Sequence, residues 1–407
     1  MGIFRKKWEF LFLCCFTYMC AYLCRVNLSS ALGKMEVALN VSSATLGFLG
    51  TAYFFTYACF QLICGFFGDR VRPERLICLG LVGVVSANVG ISLSESYPAI
   101  LALWCINGVF QAMFWGPIAR MLAGWFSREE RVTVSTWLSL SMPCGYILSW
   151  SAIAPLLADS PWMLNFRVPG VVMMIPMVLW LALAIRGTGE ACDAPANAAP
   201  PSAKTILTTI REERLWLVAL GCMSNGVLKE SFTIWAPLIL TRLLGVNVGQ
   251  SALYLVLFPL CNALFIAGNG RILQRTAAPL RRSLLVIFAL VAGCALALMS
   301  GLQSVPMTVI LMAAISGFGY AANNVYMGIL PMGYAEKNIT SSLVGIFDFS
   351  AYIGAGIAAY GLGLLISGSD LRPIATVWLV AAVVAVVALV FSKGQLAERR
   401  ETACQNG

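Results

Sequence analysis

An all-helical protein threaded repeatedly through a lipid bilayer is what this sequence predicts, and three observations predict it. Hydrophobic residues make up 59% of the 407 residues and charged ones only 11%, where ordinary globular chains carry about 25% charge. The apolar residues come in runs of about 20, the length at which a helix crosses a hydrocarbon core. Lys and Arg gather in alternate gaps between the runs, as positive-inside threading requires. With the N-terminus inside, 20 of the 27 basic residues fall in cytoplasmic segments and three, Lys34, Arg242 and Arg372, in outer loops. The net charge of +9 is then topological, and nucleic acid is not an expected partner.

Twelve spans follow in order, near 9–32, 44–67, 76–94, 98–125, 132–157, 163–185, 215–240, 249–270, 283–301, 306–333, 340–367 and 373–392. The first opens behind Arg5, Lys6 and Lys7. Its basic start resembles a signal peptide, but no small-residue cleavage site follows and the apolar run is too long. Lys6 also breaks the myristoylation pattern. Basic clusters in 68–75, 127–131, 186–214 and 271–282, with Lys337 and the tail, mark the cytoplasmic gaps. Gly and Pro recur inside spans, in "GPIARM", "SMPCGY" and "RVPGVVMMIP", where close helix contact and bends are tolerated. The chain is expected to be a monomer in the cell inner membrane, with both termini cytoplasmic and lipid around it.

The longest polar stretch, "GTGEACDAPANAAPPSAKTILTTIREE", is Ala- and Pro-rich and reads as a linker between two six-span halves. The expected division is 1–186, a linker at 187–213, 214–393, and a tail at 394–407. Each half carries one cation in its first span. Arg25 lies 16 residues after Glu9 and Lys229 lies 14 after Leu215, which at 1.5 Å per residue puts them within about 3 Å of one depth.

Composition also excludes classes. There is no histidine, so imidazole zinc sites and His-based catalysis are out, and no acidic metal cluster suggests an enzyme. Most of the 14 cysteines, among them Cys14, Cys15, Cys20, Cys59, Cys64, Cys105 and Cys261, fall inside spans, where Cys is a small apolar residue. No metal or cofactor is expected.

Intramembrane Arg costs from about 2.5 to over 10 kcal/mol and should face a watery cavity or a partner. Tyr18, Tyr22 and Arg25 stand at i, i+4 and i+7, on one helix face, and buried tyrosine hydroxyls need polar partners. The deep acids are Glu230 and Asp348. Glu230 lies about 100° around the helix from Lys229, so the two need not face each other. Asp348 suits either a counter-ion to Lys229 or a proton-coupling carboxyl.

After the second span, "CGFFGDRVRPER" carries Gly65, Asp69, Arg70 and Arg75 as Gly-x3-Asp-Arg-x4-basic. Asp69 suits the N-terminal end of a neighbouring helix and a basic partner. Here the chain resembles the major facilitator superfamily. A longer stretch, 108–148, resembles the organophosphate:phosphate antiporter family through Trp115, Pro117, Arg120, Trp125, Glu130, Arg131, Ser135 and Trp137. The seventh span adds Trp235 and Pro237.

That resemblance implies twelve helices in two pseudo-symmetric bundles. It implies alternating access, and Arg25 and Lys229 as an anion-binding pair. Planar Arg suits phosphate or carboxylate, and Lys adds a point charge. Tyr18, Tyr22, Gln61, Gln111, Trp115, Trp137, Ser141, Asn324, Asp348 and Tyr352 are the other candidate substrate residues. Asp348, Glu230, Asp69, Arg70, Arg75 and Arg120 are the coupling or gating candidates. Asn323 adjoins Asn324, so one of the two at most is expected to face a cavity. Three positions depart from the family: Gln61 stands for a Lys, Ser141 for a His, and Lys229 for an Arg. Fewer cations open the way to a carboxylate in place of a phosphoryl group. Antiport against a counter-substrate, proton symport using Asp348, and a non-transporting sensor of the same fold all remain open at this point.

Overall fold

The computed structural model describes residues 2–41, 43–186, 201–276, 278–301, 304–365 and 370–393. The tail and most of the expected linker lie outside the described residues. Among the described residues the regular structure is helical throughout. In chain order the helices are α1 (Gly2–Leu39), α2 (Ser43–Gly68), α3 (Pro73–Ser92), α4 (Tyr97–Gln111), α5 (Trp115–Trp125), α6 (Arg131–Ile147), α7 (Ala154–Leu156) and α8 (Leu164–Arg186). Then come α9 (Ala203–Glu212), α10 (Leu215–Leu238), α11 (Val248–Thr276), α12 (Leu280–Ser300), α13 (Val305–Asn324), α14 (Leu330–Met332), α15 (Thr340–Leu365) and α16 (Arg372–Phe391).

Joined end to end where they continue one another, these make twelve rods among the described residues, plus the short α9. Ten helical stretches are long and apolar enough to cross a membrane. The two rods outside that set are α6, which opens on the polar run "RVTVST", and α10, which carries Lys229 and Glu230.

Three spans expected to be continuous are interrupted, and proline is the physical reason. The stretch near 98–125 parts between α4 and α5, where Pro117 sits in the first turn of α5, because its ring and missing N–H disrupt the turn before it. In the stretch near 306–333 a π-helical turn, Val325–Ile329, precedes Pro331. A second such turn, Leu148–Ile153, precedes Pro155. One extra residue per turn absorbs the bond that proline cannot make. Within the expected linker, α9 is the departure: Ser202 accepts from Thr205 N at 3.0 Å, an N-cap, and Ile206 and Thr209 are buried on one face.

The chain divides into two compact units. The first is Met1–Arg128, Trp137–Pro201 and Tyr334–Gly345; the second is Glu129–Thr136, Ser202–Gly333 and Ile346–Gly407. Inside the first, the main packing partners are α1 with α8, α3 with α8, α3 with α4, and α2 with α4. Trp180 Nε1 ties α8 to α1 by donating to Thr17 Oγ1 at 2.9 Å. Inside the second they are α10 with α16, α12 with α16, α12 with α13, and α11 with α13. Counting rods from the start of each half, both sets are first with sixth, third with sixth, third with fourth, and second with fourth. One packing plan is used twice.

A finer repeat sits beside each cation. In the first unit, a Cβ built on Gly145 would lie 2.9 Å from the Met19 carbonyl, six residues before Arg25. In the second, a Cβ on Gly354 would overlap the Met223 carbonyl, six residues before Lys229. Both cations therefore stand six residues after a carbonyl closely approached by a glycine on the fifth rod of their half.

Candidate functional site

Arg25 is half-buried in α1. Its Nε donates to Tyr53 Oη at 2.9 Å and to Gln111 Oε1 at 3.2 Å, and its Nη1 to Tyr22 Oη at 3.5 Å. The guanidinium carbon lies 4.3 Å from the centre of the Tyr57 ring and 4.9 Å from that of Tyr22, within cation–π range. Tyr18 packs on Trp115 with ring centres 4.7 Å apart, and Tyr22 on Tyr146 at 5.3 Å. The first unit thus surrounds the guanidinium with tyrosines from α1 and α2 and one amide from α4.

Tyr53 and Tyr57 were not singled out in the sequence, although the signal was there. Tyr53, Tyr57 and Gln61 repeat at four-residue spacing, the same one-face pattern as Tyr18, Tyr22 and Arg25. Gln61 itself is buried and donates to Tyr57 Oη at 2.6 Å, which places it behind the ring that faces Arg25. Ser141 is buried and its hydroxyl donates to the Leu138 carbonyl on its own helix. Trp137 has 56% of its surface exposed, and no ring or hydrogen-bond contact of those above joins it to the Arg25 cluster.

In the second unit, Lys229 is buried on α10. Sequence geometry did not require Glu230 to face it, yet Lys229 Nζ and Glu230 Oε1 are 3.0 Å apart. The 100° step between neighbours separates Cα–Cβ directions, and two long flexible side chains close that gap in a medium with little water. Tyr320 and Tyr352 stand with ring centres 5.5 and 5.7 Å from Nζ. Tyr320 was another residue missed. Asp348 is buried one turn before Tyr352 on α15.

Asn324 does not present a spare amide. Its Oδ1 accepts from Ser135 Oγ at 2.6 Å and its Nδ2 donates to Thr136 Oγ1 at 3.3 Å, so it secures the second turn of α6. Its neighbour Asn323 is the one whose buried Oδ1 has no hydrogen-bond partner among the described residues.

The loop after α2 is organised around Asp69. Oδ1 accepts from Ser341 N at 2.9 Å and Oδ2 from Ser342 N at 2.7 Å, at the start of α15, where backbone N–H groups lack helical partners. Burial pushes its carboxyl above the ordinary 3.8, while the Ser342 and Ser341 donors and the Arg120 charge pull it back. Arg120 donates to the Gly68 and Val71 carbonyls at 2.7 and 3.1 Å, a cation on a helix C-terminus. Arg70 donates to Phe66 O at 2.8 Å and also to Pro201 O. Arg75 is exposed; a cation acting on Asp69 is Arg120, on α5.

The model of the Major Facilitator Superfamily matches residues 14–359. The "Probable hexose phosphate transport protein" of Chlamydia trachomatis is 23% identical over 379 residues, covering 85% of this chain and 82% of that one. The "Membrane sensor protein UhpC" of Escherichia coli K12 is 24% identical over 372 residues, covering 85% and 82%. Among solved structures, the proton:xylose symporter XylE superposes with a TM-score of 0.74 at 13% identity, over 95% of this chain and 94% of that one; at that identity it speaks for the fold. A twelve-rod helical chain with this packing plan and this family match is a multi-pass membrane protein, and it belongs to the major facilitator superfamily.

Proposed function

We propose that the protein is a secondary transporter that exchanges small organic phosphates across the inner membrane by alternating access of its two six-helix halves. The observation that carries this is Arg25: a half-buried guanidinium on an apolar helix, oriented by tyrosine hydroxyls and an amide oxygen. Such a planar donor fork matches phosphate or carboxylate oxygens. The relatives named for hexose phosphate transport support phosphate as the head group. Tyr18, Tyr22, Trp115 and Tyr57 supply an aromatic wall against which a sugar or glycerol backbone packs. The proposal includes 1–186 and 214–393 as the moving halves, both termini in the cytoplasm, and a monomeric working unit.

The ion pair of Lys229 with Glu230 favours a second reading. It cancels much of the charge that a dianionic phosphoryl group would meet in the second half. An organic monoanion moved with a proton on Asp348 fits that balance. Purified protein in liposomes separates the two. Counterflow of labelled glycerol phosphate at equal pH on both sides, unchanged in Asp348→Asn, supports exchange. Accumulation that requires a proton gradient and is abolished by Asp348→Asn establishes coupled symport. Ligand binding with no movement in either arrangement would make the chain a sensor, like the relative that carries that name.

A further inference from the structure

Four buried amides in the first unit form a hydrogen-bonded chain that reaches Arg25, with donors converging on Asn107 Oδ1 from both sides. Asn107 Nδ2 donates to the Cys24 carbonyl at 3.0 Å, and a carbonyl can only accept. That contact fixes which way the Asn107 amide points, so its Oδ1 faces away from Cys24. There it accepts from Asn88 Nδ2 at 3.3 Å and from Gln111 Nε2 at 3.5 Å. Asn88 is fixed in the same manner, because its Nδ2 also donates to the Val84 carbonyl at 2.9 Å, while its Oδ1 accepts from Asn27 at 2.9 Å. With its N–H2 end taken by Asn107, Gln111 turns its oxygen to Arg25 Nε. All four amides are at most 2% exposed, so water does not compete for them. Reversing Gln111 would place its N–H2 against a guanidinium, donor against donor.

We propose that Asn107 and Asn88 are positioning residues that hold the Gln111 oxygen on Arg25 and thereby set the angle of its guanidinium. This rests on the anion reading above for its consequence, while the geometry stands apart from it. With Nε directed to Gln111 and Tyr53, the terminal edge of the guanidinium is what turns toward a ligand. Arg25 then meets an anion in one orientation, with the rotational freedom of a long side chain already removed.

The test uses the full chain in lipid nanodiscs labelled with 15N-arginine. The Arg25 Nε–Hε resonance is assigned by its loss in Arg25→Lys. Asn107→Ala is expected to shift it, although Asn107 does not touch Arg25. Gln111→Ala should give the same shift, and the double variant no more. Asn88→Ala, one link further out, should move it in the same direction by less, and it serves if Asn107→Ala fails to fold. An Nε–Hε signal at its wild-type position in Asn107→Ala, or in Asn88→Ala where that stands in, overturns the proposal. Inorganic phosphate binding is measured on the same samples. The dissociation constant should rise about tenfold in Asn107→Ala and in Gln111→Ala, as for loss of one hydrogen bond to a charged group, and no further in the double variant. Additive losses in the double variant would also overturn it. A wild-type protein that binds no phosphate, with the resonance still following Asn107, would overturn the anion reading and leave the relay established.

Discussion

Replacing Glu230 with Gln isolates the question of whether Lys229 meets substrate. Two unit charges 3.0 Å apart attract by about 5.5 kcal/mol at an effective dielectric of about 20. Much of that is offset by the cost of taking both groups out of water. Removing one partner of a buried pair costs about 3–5 kcal/mol. Glu230→Gln should therefore lower the melting temperature of the ligand-free protein in detergent. An anion seated against the ammonium would supply the missing charge, so saturating inorganic phosphate should raise the variant's midpoint by more than it raises the wild type's. By linkage, the variant should also bind phosphate more tightly, because the ligand no longer competes with Glu230. Equal phosphate-induced shifts in the two proteins would show that the ligand does not reach Lys229, and the pairing of the two cations would fall.

Arg25→Lys keeps the charge and loses the planar fork. One charge-assisted hydrogen bond of about 1.5–3 kcal/mol goes, a weakening of phosphate binding by about 10- to 100-fold; half-saturation of counterflow within threefold of wild type would count against direct coordination. Gly354→Ala should destabilise the protein by about 1–3 kcal/mol, since its Cβ would overlap the Met223 carbonyl, whereas Gly356→Ala meets nothing within 4 Å and should be neutral or mildly stabilising in a melting assay. For Asp69 the sign follows from burial: its folded carboxyl lies above the ordinary 3.8, so its contribution is complete below that value and is lost as pH rises through the folded one. The stability of wild type minus that of Asp69→Asn should fall as pH climbs from about 4 upward; a difference that grew with pH would mean that the Ser341 and Ser342 amides outweigh burial.

The rods were legible because the bilayer demands long apolar runs and little else, and the cations were legible because charge in such runs is rare. What lay hidden was decided by contacts remote in sequence or by single local bonds. Nothing in "SAKTILTTIREE" outweighed its polarity until Ser202 capped α9. Asn324 looked like a free amide in an apolar helix, and only the arrival of Ser135 and Thr136, nearly two hundred residues earlier in the chain, shows it engaged. Lys229 and Glu230 were judged by Cβ directions, which govern short side chains better than long ones. Tyr53 and Tyr57 carried a readable one-face spacing, but without a charge among them nothing drew the eye.

The repeated crossing gives the two cations one register, and what surrounds each then differs between the halves. Arg25 is oriented by hydroxyls and an amide from neighbouring helices, groups that fix direction without cancelling charge. Lys229 is met by a carboxylate from the next residue of its own helix, which cancels charge and leaves direction loose. On the proposed reading, an anion attracted by the first half would gain from a field that is already in place. On the same reading it would gain in the second half only as Glu230 gives way, which would couple binding there to a rearrangement of the protein. A carrier needs both properties, since a ligand held equally well by two rigid cations would favour no change of state. A Lys at 229, where the resemblance to the antiporter family implies an Arg, suits its neighbour: a compact ammonium exchanges one oxygen partner for another more readily than a planar fork held at two points.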